Sequence, residues 1–257
     1  KEYFQDLLTI LQVSCSIDFK SLKGPFLLYK KVAEQYNDPC ILSHISELVP
    51  EAVLKDKDII PALLRWFKSD FMHWVPKVIK CPRCADRGKN GNDTTMEPEV
   101  IEGTSWQLRK VEVHTCPKCG EKYTFPRYAE VLKIAQTRAG RCSEWSMLFG
   151  AILQSLSFHT RIVHDYLDHC WNEVMLDGRW IHIDSTLQLP TSFNHPKHYE
   201  QNWGKEYYFV FAFMADNIQD VTLSYTEHWA QVQKRRMSLQ HGDDLLPNLL
   251  KFYRSLS

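Results

Sequence analysis

Residues 168–184 read Asp-His-Cys-Trp-Asn-Glu-Val-Met-Leu-Asp-Gly-Arg-Trp-Ile-His-Ile-Asp. Two alternating runs flank Asp177-Gly178, a dipeptide that tolerates the positive φ angles of a two-residue hairpin turn. With that turn as the whole connection, Leu176 faces Arg179, Glu173 faces His182 and Trp171 faces Asp184. His169, Trp171 and Glu173 then share one face with Trp180, His182 and Asp184, while Cys170, Asn172 and Val174 point to the other. His169 and Asp184 become diagonal cross-strand neighbours, within reach of an imidazole–carboxylate contact. A one-residue slip in register destroys that contact, so the reading rests on the turn.

Working upstream, Gly140-Arg-Cys-Ser-Glu-Trp145 is followed by Met147, Leu148, Ala151, Ile152 and Leu156 at helical spacing. This spacing predicts Cys142 at the N-terminus of a buried helix, where free N–H groups and the helix dipole stabilise a thiolate. Taken alone, the same residue is equally a small buried cysteine. A thiol at a helix start beside a His–Asp pair on a sheet is the arrangement of a thiol hydrolase: the imidazole takes the thiol proton, and the carboxylate orients the ring. On the residues alone, other assignments stay open. His182 can be the base, His164-Asp165 can be the pair, and any of the 11 histidines can be a satisfied core residue.

Further upstream, Cys81-Pro-Arg-Cys84 and Cys116-Pro-Lys-Cys119 form two Cys-x-x-Cys knuckles. Each turn aims two thiolates at one ion, and together they complete a four-cysteine site with no open position. The expectation is one structural Zn²⁺ held by Cys81, Cys84, Cys116 and Cys119. Lys77, Lys80, Arg83, Arg87, Lys89, Lys118 and Lys122 surround the knuckles. They read as compensation for the negative thiolate centre rather than as a nucleic-acid patch.

The 257 residues hold 31 Lys+Arg against 31 Asp+Glu, which excludes a polycation that binds nucleic acid over its whole surface. The longest near-apolar stretch, Tyr207–Ala215, falls far short of the ~18–20 residues of a membrane span. Nor do the first residues, from Lys1 to Asp6, have the basic-then-apolar order of a secretory leader. Outside the knuckles, Cys15, Cys40, Cys142 and Cys170 show no disulfide-framework spacing, so the expected compartment is reducing.

Along the chain, Tyr3 to Leu11 repeats apolar residues over a broad helical arc. Lys23-Gly24-Pro25 punctuates, with a helix expected from Phe26 to Gln35. Another helix is expected from Ile59 to about Trp74, with Pro61 in its first turn. Strands are expected within Arg161–Asp184 and Tyr207–Thr222, and a closing amphipathic helix from Asp243 to Ser257. The resulting division is a helical region at 1–75, a zinc-binding lobe at 76–126, and a catalytic core with its C-terminal helix at 127–257.

Arg-Cys-Ser-Glu-Trp (141–145), Asp-His-Cys-Trp-Asn-Glu (168–173) and Arg-Trp-Ile-His-Ile-Asp (179–184) resemble the Cys, His and Asp motifs of the transglutaminase-like core. More narrowly they resemble the cytoplasmic peptide:N-glycanases, in the compact form found in fungi. The likeness extends to Leu64-Arg-Trp-Phe67, Phe125-Pro-Arg-Tyr128, Asn202-Trp-Gly-Lys205 and Asp220-Val-Thr222, and covers about residues 60 to 225. It implies an α+β fold, a papain-like cysteine hydrolase core in which the nucleophile helix packs on an antiparallel sheet. The activity it implies is removal of N-linked glycans from misfolded glycoproteins through a thioester on Cys142, converting Asn to Asp. His169 would be base and then acid, with Asp184 its orienter, and Arg161, Trp171, Glu173 and Trp180 match cleft positions. The implied setting is endoplasmic-reticulum-associated degradation, in the cytoplasm and also the nucleus, with a proteasome-shuttle ubiquitin receptor docked on the N-terminal helix. Because the same core occurs in a DNA-damage recognition family, a catalytically impaired scaffold is the alternative. Three positions depart from the family pattern. Ser143 stands where Gly is usual, His164 stands where Trp is usual, and Ser185-Thr186-Leu187 replaces a Cys-rich segment.

Overall fold

The computed structural model describes residues 17–85, 94–239 and 242–256. Four helices come first: α1 (Phe19–Gln35), α2 (Pro39–Ser46), α3 (Glu51–Leu54) and α4 (Ile59–Trp66). A π-helical turn, Phe67–Phe71, follows α4. Next come β1 (His73–Trp74), β2 (Ile79–Lys80), α5 (Pro82–Ala85), and the long strands β3 (Thr95–Glu102), β4 (Leu108–Thr115) and β5 (Lys122–Tyr128). Then α6 (Val131–Thr137), β6 (Ala139–Gly140) and α7 (Cys142–Ser155) lead into β7 (Thr160–His164), β8 (Cys170–Leu176) and β9 (Arg179–Ile183). The chain closes with α8 (His198–Trp203), β10 (Phe211–Phe213), β11 (Ile218–Asp220), α9 (Thr222–Tyr225), α10 (Trp229–Met237) and α11 (Gly242–Arg254).

Two sheets organise these elements. The larger is antiparallel, in the order β11-β10-β7-β8-β9, and α7 packs on it. Every side chain of α7 from Ser143 to Leu153 is buried. The smaller sheet, β2-β3-β4-β5, carries the four knuckle cysteines at one end. It is an excursion between two stems that meet again, because β1 and β6 pair in parallel, His73 opposite Ala139 and Trp74 opposite Gly140. Helices α1, α2 and α4 and the π-helical turn bury Phe26, Tyr29, Ile45, Leu63 and Phe67 in the same apolar core as Phe149, Ile162 and Phe213. This is a mixed helix and antiparallel-sheet fold, as expected.

The hairpin has the anticipated register: Leu176 opposes Arg179 and Glu173 opposes His182. Asp177 and Gly178 both have positive φ, 47° and 74°, as a two-residue turn of this hand requires. Near the start of the described chain the expectation fails. Helix α1 begins at Phe19 and runs through Gly24-Pro25, capped by Asp18, whose carboxylate accepts the Ser21 N–H at 2.7 Å. Leu22, Phe26, Tyr29 and Val32 continue one buried stripe across the proline, so burial of that stripe outweighs the lost hydrogen bond. The helix expected over Tyr3–Leu11 lies outside the described residues.

Candidate active site

Cys142 is the first residue of α7, and His169 ends the turn that leads into β8. That turn is built on Asp165, whose Oδ1 accepts the backbone N–H groups of Leu167, Asp168 and His169. Its other oxygen pairs with Lys205 at 3.1 Å. The hairpin register carries Asp184 to the same place, just beyond β9. His169 Nε2 lies 2.7 Å from Asp184 Oδ2, and Asp184 has no exposure to water. Nε2 therefore donates to the carboxylate, which leaves Nδ1 for the thiol. The Cys142 sulfur lies 3.5 Å from the carbonyl of Asp168, the residue before His169, and the thiol and the imidazole each favour the other's charged form.

Electrostatics sharpen this grouping. The neighbouring Cys170 thiol is the largest influence on Cys142; burial opposes it, His169 adds to it, and the thiol is held down to about 5. Burial alone would depress the His169 imidazole, but the adjacent Asp184 carboxylate outweighs it and raises the ring to about 10. Between these values the pair rests as thiolate and imidazolium. Asp184 stays ionised, because His169 and Thr186 overcome its burial. The competing histidines point elsewhere. Burial lowers His164 to about 4, and its ring packs between Tyr29 and Tyr166 as a neutral core group. His182, lowered to about 3 chiefly by burial, faces the Tyr199 hydroxyl at 2.6 Å.

Three of the four expected cleft residues lie inside the sheet. Arg161 Nε pairs with Glu173 Oε2, Tyr225 Oη donates to Glu173 Oε1 at 2.6 Å, and Trp171 Nε1 donates to Tyr225 Oη at 2.8 Å. Arg161, Trp171 and Glu173 are all buried, and their polar groups pair within the sheet and brace β7 against β8. Trp180 is half-buried, with the Arg161 guanidinium 3.9 Å from its ring centroid, near the Asp177-Gly178 end of the hairpin. Beside the buried Trp171 and Tyr199 rings, one exposed aromatic side chain that sequence reasoning missed also flanks His169. Trp203, 42% exposed at the end of α8, lies 5.1 Å from the His169 ring. Only its place in Asn202-Trp-Gly-Lys205 pointed to it.

At the start of α7 lies a second cluster of charge. Glu144, buried, accepts Arg127 Nε at 2.8 Å and an Arg109 guanidinium nitrogen, and caps the Arg141 N–H at 3.0 Å. Arg127 and Arg141 share a second buried carboxylate, Glu112, at 3.1 Å and 2.7 Å. Ser143 joins this network: its Oγ accepts from both Arg109 and Arg127 at 3.0 Å. That departure from the family pattern thus faces the arginines. The four knuckle cysteines lie within 4.8 Å of one another, close enough to hold a metal ion. Cys116–Cys119 is itself the turn between β4 and β5, the strands that supply Arg109, Glu112 and Arg127.

Residues 94–185 match the model of the transglutaminase-like superfamily. The chain is 37% identical over 183 residues to a Yarrowia lipolytica protein named peptide-N(4)-(N-acetyl-beta-glucosaminyl)asparagine amidase, covering 70% of this chain and 49% of that one. It is 35% identical over 204 residues to the Homo sapiens protein of the same name, covering 78% of this chain and 30% of the relative. The chain therefore spans less than half the length of these relatives. Among solved structures it is similar to Rad4–Rad23 bound to a 6-4 photoproduct UV lesion, with a TM-score of 0.54 and 13% identity over 91% of this chain and 55% of that one. That likeness concerns the fold alone.

The resting ion pair predicts how Cys142 reacts with iodoacetamide, followed by peptide mass mapping. A depressed thiol is reactive above its own value, so alkylation of Cys142 should reach half its plateau near pH 5. Asp184→Asn removes the support for the imidazolium and should move that midpoint upward. A wild-type midpoint at the ordinary thiol value of about 8.5 contradicts the ion pair.

Proposed function

This chain belongs to the transglutaminase-like superfamily, and on that premise we propose that it is a peptide-N4-(N-acetyl-beta-glucosaminyl)asparagine amidase. The observation that carries the reading is the grouping of Cys142, His169 and Asp184, with the thiol already depressed and the imidazole already raised. The substrate class is the N-glycosylated asparagine of an unfolded glycoprotein. The Cys142 thiolate attacks the side-chain amide carbon. The oxyanion so formed lies against the first-turn N–H groups of α7, the Cys142 N–H among them. His169 then gives its Nδ1 proton to the departing nitrogen, and the sugar leaves as a glycosylamine. A thioester remains on Cys142. Neutral His169 next takes a proton from water, the hydroxide attacks the thioester, and collapse expels the thiolate and leaves aspartate. Since the pair rests ionised, His169 first acts as acid and then as base, whereas the resemblance implies base and then acid. Trp203 offers an aromatic face for a sugar ring beside the imidazole, a better-placed candidate than Trp180.

For the knuckles we propose zinc, in a structural role. A tetrahedral site with Zn–S bonds of about 2.3 Å has sulfur–sulfur edges of about 3.8 Å. Cys81 and Cys119 stand 3.5 Å apart, and Cys84 and Cys116 3.8 Å. All four ligands come from the protein, so the ion would brace the lobe without meeting substrate. Free thiols at Cys142 and Cys170 suit a reducing compartment, which supports the cytosol or nucleus. The proposed docking of a proteasome-shuttle receptor rests on residues 3–11, outside the described region.

Incubated with a denatured N-glycoprotein, the chain should release intact glycan and leave aspartate at each vacated site, read by mass spectrometry. Cys142→Ala should lower the rate at least about a thousandfold with the fold retained; a loss within about tenfold would sink the nucleophile assignment. Metal analysis should find one zinc per chain, and strong chelation should remove it and lower the melting temperature. Active, folded protein without zinc would refute the four-cysteine assignment.

A further inference from the structure

Asp184 accepts four hydrogen bonds with no help from solvent. Its Oδ1 takes the Thr186 N–H at 2.8 Å and the Thr186 hydroxyl at 2.6 Å. Its Oδ2 takes His169 Nε2 at 2.7 Å and the Tyr199 hydroxyl at 2.8 Å. The last donor comes from α8, and its direction is set from behind. Tyr199 Oη is also 2.6 Å from His182 Nε2, while His182 Nδ1 lies 3.3 Å from the His195 backbone N–H. A backbone N–H can only donate, so Nδ1 keeps its lone pair and the His182 proton sits on Nε2. His182 therefore donates to Tyr199, whose single proton is committed to Asp184.

We propose that Tyr199, backed by His182, is a positioning residue for the His169–Asp184 pair: it holds the carboxylate in place and moderates its pull on the imidazolium. The argument rests on His169 and Asp184 serving Cys142 as described above. A second strong donor on the same oxygen reduces the charge available to His169, so the ring's proton stays transferable. Burial keeps His182 neutral, and it adds no competing cation. The Tyr199 ring also sits 5.2 Å from the His169 ring and 4.7 Å from Trp171, contacts that a phenylalanine retains. Among the described residues, the other charged or titratable groups around Asp184 are Lys68, whose ammonium donates to the Thr186 carbonyl at 2.6 Å, and His198 on α8. Neither bonds Asp184 directly.

The test is Tyr199→Phe in the full chain, with two readouts that need no glycoprotein. The proton NMR resonance of His169 Nε2–H should move downfield as Asp184 turns wholly to the imidazole. The midpoint for loss of the His169 ring proton, from the pH dependence of its ring-carbon NMR shifts, should rise. In turnover, kcat should drop at least about fivefold with KM within twofold. Should Tyr199→Phe fail to fold, His182→Leu serves, since it leaves Tyr199 undriven and should shift the resonance the same way by less. His182→Gln keeps an N–H donor and should leave the resonance near its wild-type position. An unmoved resonance and midpoint in folded Tyr199→Phe overturns the proposal. A normal pair that releases no glycan would instead refute the amidase reading.

Discussion

A carboxylate shut away from water in the first turn of α7 governs how this molecule is put together. Taking Glu144 out of solvent costs several kcal/mol unless cations meet it, and removing one partner of such a buried set typically costs about 3–5 kcal/mol. Arg109 and Arg127 meet it, and both come from the β4–β5 hairpin. Arg127 and Arg141 then share Glu112, so the helix start, the stem at β6 and the small sheet become one charged joint. Glu144 also caps the very turn that presents Cys142. Because the Cys116–Cys119 knuckle closes that same hairpin, the four-cysteine lobe is part of what aims the thiol.

The second buried carboxylate, Asp184, sets the chemistry. Its negative charge has nowhere to go except into hydrogen bonds and the His169 imidazolium, and this is why the ring is raised despite its burial. The raised ring in turn helps hold the thiol ionised at neutral pH. In the proposed amidase reaction the thiolate needs no base at the moment of attack; the harder step would be protonating the leaving nitrogen, for which the resting imidazolium is loaded. The Arg161–Glu173–Tyr225–Trp171 chain keeps β7 and β8 rigid beneath this pair.

What could be read in advance follows from the range of each signal. Asp177-Gly178 dictates a turn by local φ preference, and the turn dictates register, so the meeting of His169 with Asp184 was legible from seventeen residues. The Cys-x-x-Cys spacing and the apolar stripe of α7 are local in the same way. Pro25 misled because a local rule competed with a buried stripe that only the tertiary fold reveals. The arginine cluster joins residues 15 to 35 positions apart with no periodicity, so no spacing in the sequence announces it. Arg161, Trp171 and Glu173 were assigned to the cleft through family resemblance, yet their polar groups satisfy one another inside the sheet. Tyr199 and Trp203 sit on a six-residue helix after a long irregular segment, where pattern arguments have least to hold.

The central claim is that an acyl group passes through a thioester on this chain before water takes it. Run deglycosylation of a denatured glycoprotein in buffer containing hydroxylamine, and determine the mass of each former glycosylation site. An acyl-enzyme partitions between water and the added nucleophile, so the account predicts aspartate together with a hydroxamate whose share rises with hydroxylamine concentration. Asparagine at the vacated site, or aspartate with no hydroxamate at any concentration, would contradict it.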